Sequence, residues 1–176
     1  MKRKSSRRFA TAEKGKAEAT AEFRLEAFLP YLLSVAANRV SGLVARRYGR
    51  EFGITIPEWR CLAVLGSARR ISATEISTRT AMDKVKVSRA LASLQAKGLA
   101  RRAPHPTDRR LALVSLTPRG STVFQRIVPL ALETERQVLA VLSAQDERAL
   151  RSALARLLER IDAMEREAQG GERSVS

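Results

Sequence analysis

Apolar residues recur along most of the chain at the three- and four-residue spacing that places them on one face of an α-helix. A first helix is predicted to begin near Pro30, because a proline deep inside a helix would break it. Its apolar positions are Leu29, Leu32, Leu33, Ala36, Val40 and Leu43. Near the other end of the chain, a strict four-three-four-three spacing is kept by Leu150, Leu154, Leu157, Ile161 and Met164. The pattern predicts a mainly helical protein whose first and last helices are long.

Helix starts are marked by residues that can cap free backbone amides. The segments 55–58 and 72–75 have the capping-box form, in which a hydroxyl accepts from an amide and a glutamate reaches back. The segment 143–146 repeats this form with an aspartate in place of the glutamate. Thr117 precedes Pro118, and proline is tolerated at the first helical position. Each of these segments is predicted to begin a helix.

Helix ends are marked by glycines, with Gly66 predicted to end the second helix and Gly98 the fourth. The start and end signals together predict a loop over 49–54 and a second helix over about 56–65. A short third helix follows Ser72, and a fourth helix covers about 83–97. Two long helices follow Thr117, and the first of them is predicted to be interrupted near Pro129.

A strand-like region follows the fourth predicted helix. Two short apolar runs, 99–103 and 111–116, flank a proline-rich polar tip over 104–110, which is typical of a β-hairpin. Two short helices followed by a hairpin form the outline of a winged helix-turn-helix. The predicted fold class is therefore mainly α with a small β-hairpin wing.

The distribution of charge indicates the partner. The chain carries 33 Lys and Arg against 18 Asp and Glu, a formal net charge of +15. The segment 69–110 holds eleven basic residues against three acids, whereas the segment 143–169 holds five against six. A localised positive field attracts a polyanion, and nucleic acid is the commonest one. We therefore expect the helix-turn-helix segment to bind double-stranded DNA.

The fourth predicted helix has one apolar face and one face suited to DNA. A turn of about 100° per residue separates the apolar positions from the basic and small ones. Small residues allow close approach to the major groove, while Lys and Arg reach phosphates and guanine edges. The candidate DNA-binding residues are Lys84, Lys86, Ser88 and Arg89. An ordinary surface helix with solvated charges is the alternative interpretation.

Three segments carry a resemblance to a known family. The segment 108–117 resembles the wing signature of the MarR family of winged helix-turn-helix regulators, D-x-R-x-x-x-V-x-L-T. The segments 57–65 and 87–99 resemble that family's second helix and its recognition helix with the turn into the wing. The resemblance extends over about residues 28–168 and implies a sequence-specific transcriptional regulator.

The resemblance also implies how DNA is held. Arg110 at the wing tip would enter the minor groove, with Asp108 bracing its guanidinium and Arg109 adding a phosphate contact. Members of the family form homodimers by interlacing the first helix and the last two helices, which suits a pseudo-palindromic operator. The apolar stripe of the last helix would then pair across the two-fold axis, and packing on its own domain is the alternative.

These expectations divide the chain into five parts. They are a disordered basic arm over 1–22, a first dimerisation helix over 23–50, a DNA-binding lobe over 55–116, dimerisation helices over 117–168, and a flexible tail over 169–176.

A small-molecule effector is the other partner that the resemblance implies. In this family the effector cleft lies between the first helix and the DNA-binding lobe, which makes Tyr48 and Trp59 candidate lining residues; a purely core role is the alternative for Trp59. Arg39 and Arg46 would meet an anion beside this cleft. The segment 28–39 is similar to MarR regulators that respond to hydroxycinnamoyl-CoA and aromatic acids. The expected effector is therefore p-coumaroyl-CoA or a related aromatic acyl-CoA or aromatic acid.

Other function classes find little support in the sequence. One histidine and one cysteine cannot form a zinc site within a chain, and no phosphate loop or nucleophile elbow is present, so neither an enzyme nor a bound cofactor is expected. Cys61 is interpreted as a small core residue. With no run of about 20 apolar residues, no membrane association is expected and the location is expected to be cytoplasmic. The alternative function is an architectural, nucleoid-type DNA-binding protein without an effector.

Overall fold

A computed structural model of the protein describes residues 23–68, 70–104 and 112–172. After a short 3-10 turn at Leu25–Ala27, the elements in chain order are α1 Leu29–Phe52, α2 Ile56–Ser67, β1 Ile71–Ser72, α3 Ala73–Thr80, α4 Lys84–Ala96, β2 Ala100–Pro104, β3 Ala112–Leu116, α5 Pro118–Leu139 and α6 Ala144–Glu172. The fold is mainly helical with a small antiparallel sheet, which confirms the predicted winged helix-turn-helix. The predicted basic arm over 1–22 and the tip of the wing over 105–111 lie outside the described residues.

The turn between α1 and α2 begins later than predicted. The sequence favoured a loop over 49–54, but α1 continues through Phe52. Gly53 adopts a left-handed conformation, with φ of 60°, and its amide donates to the carbonyl of Gly49. The helix therefore ends at the second glycine of this segment. The capping box at the start of α2 is confirmed, because Thr55 Oγ1 accepts from the Glu58 amide at 3.4 Å and Glu58 Oε2 accepts from the Thr55 amide at 2.7 Å.

The sequence predicted that Gly66 ends α2, and this prediction is wrong. The helix runs on to Ser67, and Gly66 lies within it. A Cβ atom at this position would stand 2.5 Å from the ring of Phe124 on α5. Gly66 therefore permits the close approach of two helices. The prediction for Gly98 is confirmed, since this residue follows α4 with φ of 68°.

Three further features of the helices differ from the sequence prediction: one cap, one internal proline and one helix end. Ser72 Oγ accepts from the Glu75 amide at 3.1 Å, but the Glu75 carboxylate binds Arg79 instead of reaching back. Helix α5 is continuous through Pro129 and is not interrupted there. A proline removes one backbone donor from a helix, but the neighbouring turns hold their helical conformation. Helix α6 continues to Glu172, four residues into the predicted tail.

The sheet has strand order β1-β3-β2, with both pairs antiparallel. Strands β2 and β3 form the predicted hairpin, in which Arg102 is opposite Val114. Strand β1 pairs Ile71 with Val114 on the other side of β3. Only two residues long, β1 gives no alternating pattern, and the sequence did not predict it.

The core lies between the helices of the DNA-binding lobe. The inner face of α4 is buried as predicted, through Val87, Ala90, Leu91 and Leu94. Cys61 on α2 is fully buried, and burial raises the pKa of its thiol to about 11. The complete burial of its side chain confirms Cys61 as a core residue.

The apolar stripe of α6 stays largely exposed in the part of the chain that the structure describes. Its five members are 36% to 53% exposed, although each is apolar. They are Leu150, Leu154, Leu157, Ile161 and Met164. Exposed apolar side chains also line the beginning of α1, including Phe28 and Leu32. Within the described residues, Leu150 and Leu154 share a groove with Val40 and Leu139, but the stripe as a whole is not packed on its own domain, which was the alternative left open by the sequence. None of the helices within the described ranges is long and apolar enough to cross a membrane.

Candidate nucleic-acid interface

Helix α4 is fixed at its first turn by Asp83. The Asp83 carboxylate accepts from the Lys86 amide at 2.7 Å, and this backbone hydrogen bond holds the pKa of Asp83 below its ordinary value. An ionised aspartate at a helix start satisfies a free amide and complements the helix dipole. The first turn of α4 therefore keeps a defined backbone.

The turn between α3 and α4 is stabilised by both backbone and side-chain contacts. Ala81 occupies a left-handed conformation with φ of 50°, which is uncommon for any residue except glycine. The Ser77 hydroxyl donates to the carbonyl of Met82 at 2.6 Å, and the Met82 amide donates to the carbonyl of Ser77. Because Met82 is also buried, this turn fixes the position of α4 relative to α3. This turn could not be predicted from the sequence, because alanine does not mark a left-handed residue.

The four predicted residues on the outer face of α4 are all exposed. They are Lys84, Lys86, Ser88 and Arg89. Lys86 Nζ lies 3.6 Å from Asp83 Oδ2 and forms an ion pair with it. Lys84 and Arg89 form no ion pair with any residue in the described ranges. Val85 on the same turn is 59% exposed. The outer face thus combines free cations with small side chains, the combination that a recognition helix needs.

The base of the wing adds two exposed cations. Arg101 and Arg102 lie on β2, and Arg101 Nε donates to Ser115 Oγ at 3.3 Å across the hairpin. The predicted wing-tip residues Asp108, Arg109 and Arg110 lie outside the described residues.

The far end of α4 is tied to the α1–α2 turn by a buried ion pair. Glu58 is 1% exposed, and its Oε1 accepts from Lys97 Nζ at 2.7 Å. The same ammonium donates to the carbonyl of Gly53 at 2.6 Å. Burial alone would raise the pKa of Glu58, but hydrogen bonds from Lys97, Ser93 and Thr55 outweigh it and hold the pKa below its ordinary value. Sequence analysis found the cap but missed the ion pair, whose partners are 39 residues apart.

Comparison with known proteins matches this architecture to one family. Residues 52–111 match a family model described as MarR family. A Bacillus subtilis protein, the uncharacterized HTH-type transcriptional regulator YdgJ, is 32% identical over 143 residues, which cover 80% of this chain and 83% of that protein. The chain belongs to the MarR family.

Two further proteins are similar to most of this chain. The HTH-type transcriptional repressor IacR of Pseudomonas putida is 28% identical over 131 residues, covering 74% of this chain and 78% of that protein. A crystal structure of a probable transcriptional regulator from Pseudomonas aeruginosa superposes with a TM-score of 0.66 at 34% identity, covering 76% of this chain and 99% of that one. These relatives are named as regulators of transcription, not as enzymes, and the chain is a transcriptional regulator of the MarR type.

The residues predicted for an effector in this MarR-family chain fall into two groups. Tyr48 is fully buried and its ring centroid lies 5.6 Å from that of Trp59, which in turn lies 6.1 Å from Phe124. Arg39 and Arg46 are exposed on α1. The structure therefore brings Tyr48 and Trp59 together in one aromatic cluster and leaves the two arginines at the surface.

The Tyr48 hydroxyl is a buried polar group within the aromatic cluster. It is buried and has no hydrogen-bond partner among the described residues. Burial raises the pKa of Tyr48 to about 12, with the nearby Arg60 opposing the shift. A neutral, unpartnered hydroxyl in an apolar region is a polar group open to a ligand or a water molecule.

Proposed function

We propose that this MarR-family protein is a homodimeric, sequence-specific repressor that binds a pseudo-palindromic operator and releases it when a small anionic aromatic ligand binds. The observation that carries the DNA-binding part is the outer face of α4. It presents Lys84, Lys86, Ser88 and Arg89 on a helix that is anchored at both ends. Regulators of this family bind DNA as dimers and respond to small molecules.

In this proposal, α4 recognises the DNA sequence, while α4 and the wing together supply the affinity for DNA. Arg89 is placed to read a base edge, since its guanidinium can donate two hydrogen bonds to a guanine. Lys86 and the wing residues Arg101, Arg102 and Arg109 would contact phosphates, which adds affinity without sequence preference. Arg110, braced by Asp108, would enter the minor groove.

Dimerisation is supported by the uncovered apolar surface of α6 and the beginning of α1. A two-fold arrangement buries these side chains and holds two recognition helices about 34 Å apart, one turn of DNA. Each α4 can then enter the same face of the duplex.

The ligand is proposed to be p-coumaroyl-CoA or a related aromatic acyl-CoA or aromatic acid. Arg39 and Arg46 would meet its charge, while Tyr48 and Trp59 would contact the aromatic body. The unpartnered Tyr48 hydroxyl supports this assignment, because a ligand oxygen could satisfy it. A ligand can release DNA only if it binds the DNA-incompetent conformation more tightly.

Selection of bound sequences from randomised DNA tests the first part of the proposal. A palindromic motif with half-sites one turn apart is the expected result. Operator titrations with and without p-coumaroyl-CoA test the second part, with release of DNA expected. The net charge of +15 favours an architectural DNA-binding protein as the second candidate. Binding without any recovered motif, and unaffected by ligand, would establish that alternative.

A further inference from the structure

Val85 lies at the centre of the outer face of α4. A turn of about 100° per residue places it opposite the mean direction of the helix's four buried side chains. Lys84 and Lys86 are each turned about 100° away from it, one to either side. Arg89 and Ala92 follow it along the same exposed line, one and two turns further on. The residue of α4 that points most directly away from the core is therefore a valine, with a cation on each side of it.

Neither core packing nor helix stability explains a valine at this position. Val85 is 59% exposed, whereas Val87, two residues later, is 1% exposed. Valine is also a poorer helix former than alanine. Single exposed apolar residues are common on protein surfaces, so the place of Val85 on the helix matters more than its exposure alone. Because branching at Cβ restricts χ1, its two methyl groups form a fixed apolar surface on the first turn of α4.

Only one kind of group on the base edges of the major groove is apolar. It is the C5-methyl group of thymine, which 5-methylcytosine also carries, whereas the other groups there are hydrogen-bond donors and acceptors. A donor or acceptor pressed against valine would lose water without gaining a partner, which costs free energy. Contact between valine and a methyl group instead removes apolar area from water. An apolar side chain at the centre of a DNA-reading face therefore favours a pyrimidine with a C5-methyl group.

We propose that Val85 is a specificity-determining residue that contacts the C5-methyl group of a pyrimidine in each operator half-site. The inference deepens the proposed function and rests on its assignment of α4 to the major groove. Val85 and Arg89 are four residues apart, which is about 6 Å along the helix, and successive base pairs are about 3.4 Å apart. The pyrimidine should therefore lie within about two base pairs of the guanine that Arg89 contacts.

Replacement of thymine by deoxyuridine tests this contact, because the two bases differ only in the methyl group. The operator is the sequence that the wild type selects from randomised DNA, and each thymine of the half-site is replaced in turn on both sides of the palindrome. Fluorescence anisotropy measures the affinity of the full-length protein. We expect one replacement, near the guanine, to weaken wild-type binding about three- to tenfold. Val85→Ala should bind the unmodified operator more weakly by a similar factor, and the same replacement should weaken its binding no further.

Val141→Ala is the matched control, because Val141 is 86% exposed in the turn between α5 and α6. This variant should keep the wild-type affinity and the wild-type sensitivity to deoxyuridine. A second pair of operators, with cytosine or 5-methylcytosine at the sensitive position, distinguishes the two sources of the methyl group. Tighter wild-type binding of the methylated form, absent in Val85→Ala, would show that Val85 reads the methyl group on either base. Sensitivity confined to the deoxyuridine replacement would assign thymine alone.

Two results would overturn the role of Val85. One is a selected operator at which neither the loss of a thymine methyl group nor the gain of a cytosine methyl group changes wild-type affinity. The other is a methyl effect of the same size in Val85→Ala, which would assign the contact to a different residue. In both cases, recovery of a palindromic motif would leave the proposed function standing. Failure to recover any motif would overturn the proposed function, and with it a role for Val85 in specificity.

Discussion

Glu58 shows how one residue can serve two purposes that the sequence reveals unequally. Its cap of α2 is local and could be predicted from Thr55, three positions earlier. Its ion pair with Lys97 depends on the path of the chain through α3 and α4, so no local sequence pattern predicts this pair. A buried carboxylate is stable only when its hydrogen bonds replace the water it has lost.

At the residue scale, we predict that Glu58→Gln lowers the free energy of unfolding by about 1–3 kcal/mol at neutral pH, because the Lys97 ammonium loses its charged partner. The pKa of Glu58 is lower in the folded protein, so its contribution is complete above the ordinary glutamate pKa. It is lost as the pH falls through the lowered folded value. The difference between wild type and variant should therefore shrink in acid.

Chemical denaturation at a series of pH values measures this difference. Glu165→Gln, at an exposed position of α6, is the matched control and should show little effect at any pH. A constant difference across the acid range would mean that Glu58 is not ionised in the folded protein.

At the element scale, the helices were predictable because their apolar spacing extends over many residues, while two of the ends marked by glycine were not. Gly53 ends α1 and Gly66 does not end α2, although both are glycines near a predicted boundary. The difference lies in what each glycine meets. Gly53 needs a left-handed backbone, whereas Gly66 meets the ring of Phe124 on a helix that the sequence cannot place beside it.

Gly66→Ala should therefore destabilise the protein by about 1–3 kcal/mol, since the added methyl group forces α2 and α5 apart. Gly49→Ala is the control, because its Cβ would stand an ordinary 3.8 Å from the carbonyl of Ile54. This second variant should be neutral or gain up to about 1 kcal/mol from helix propensity. Thermal unfolding measures the stability of both variants. Equal losses of stability would contradict the close contact between Gly66 and Phe124.

The outer face of α4 leads to a second prediction for an element. Arg89→Ala should relax base preference and weaken operator binding by about 1–3 kcal/mol, because a bidentate contact to a base is lost. Lys86→Ala should weaken all DNA sequences more evenly and reduce the slope of affinity against salt. Selection from randomised DNA with each variant measures this, and Arg166→Ala near the end of α6 is the control. An unaltered motif in Arg89→Ala would remove Arg89 from base recognition.

At the scale of the whole molecule, the sequence predicted the fold and the polarity of α4 better than it predicted contacts between distant segments. The stripe of α6 and the outer face of α4 follow from spacing within one helix. The ion pair of Glu58 with Lys97 joins residues 39 positions apart, so only the folded chain assembles it. The turn at Ala81 was missed for another reason, because it is local but carries no residue type that marks a left-handed backbone.

We predict that Leu157→Asp produces a monomer that does not bind operator at concentrations at which wild type does. Leu157 lies in the middle of the exposed stripe, and a carboxylate there would be buried without a partner in a dimer, costing several kcal/mol. Sedimentation velocity measures the assembly state, and circular dichroism checks that the variant is folded. Leu158→Asp, at a position 61% exposed beside the stripe, is the control. A stable Leu157→Asp dimer would place the interface elsewhere.

Trp59 is the single tryptophan of the chain, and its position has a spectroscopic consequence. Its indole stands between Tyr48 on α1 and Phe124 on α5, and so contacts both helices on which the DNA-binding lobe is mounted. A change in the angle between those helices must alter the polarity and quenching around this one chromophore. The emission of the unlabelled protein therefore reports the internal motion of the lobe, without a dye and without DNA.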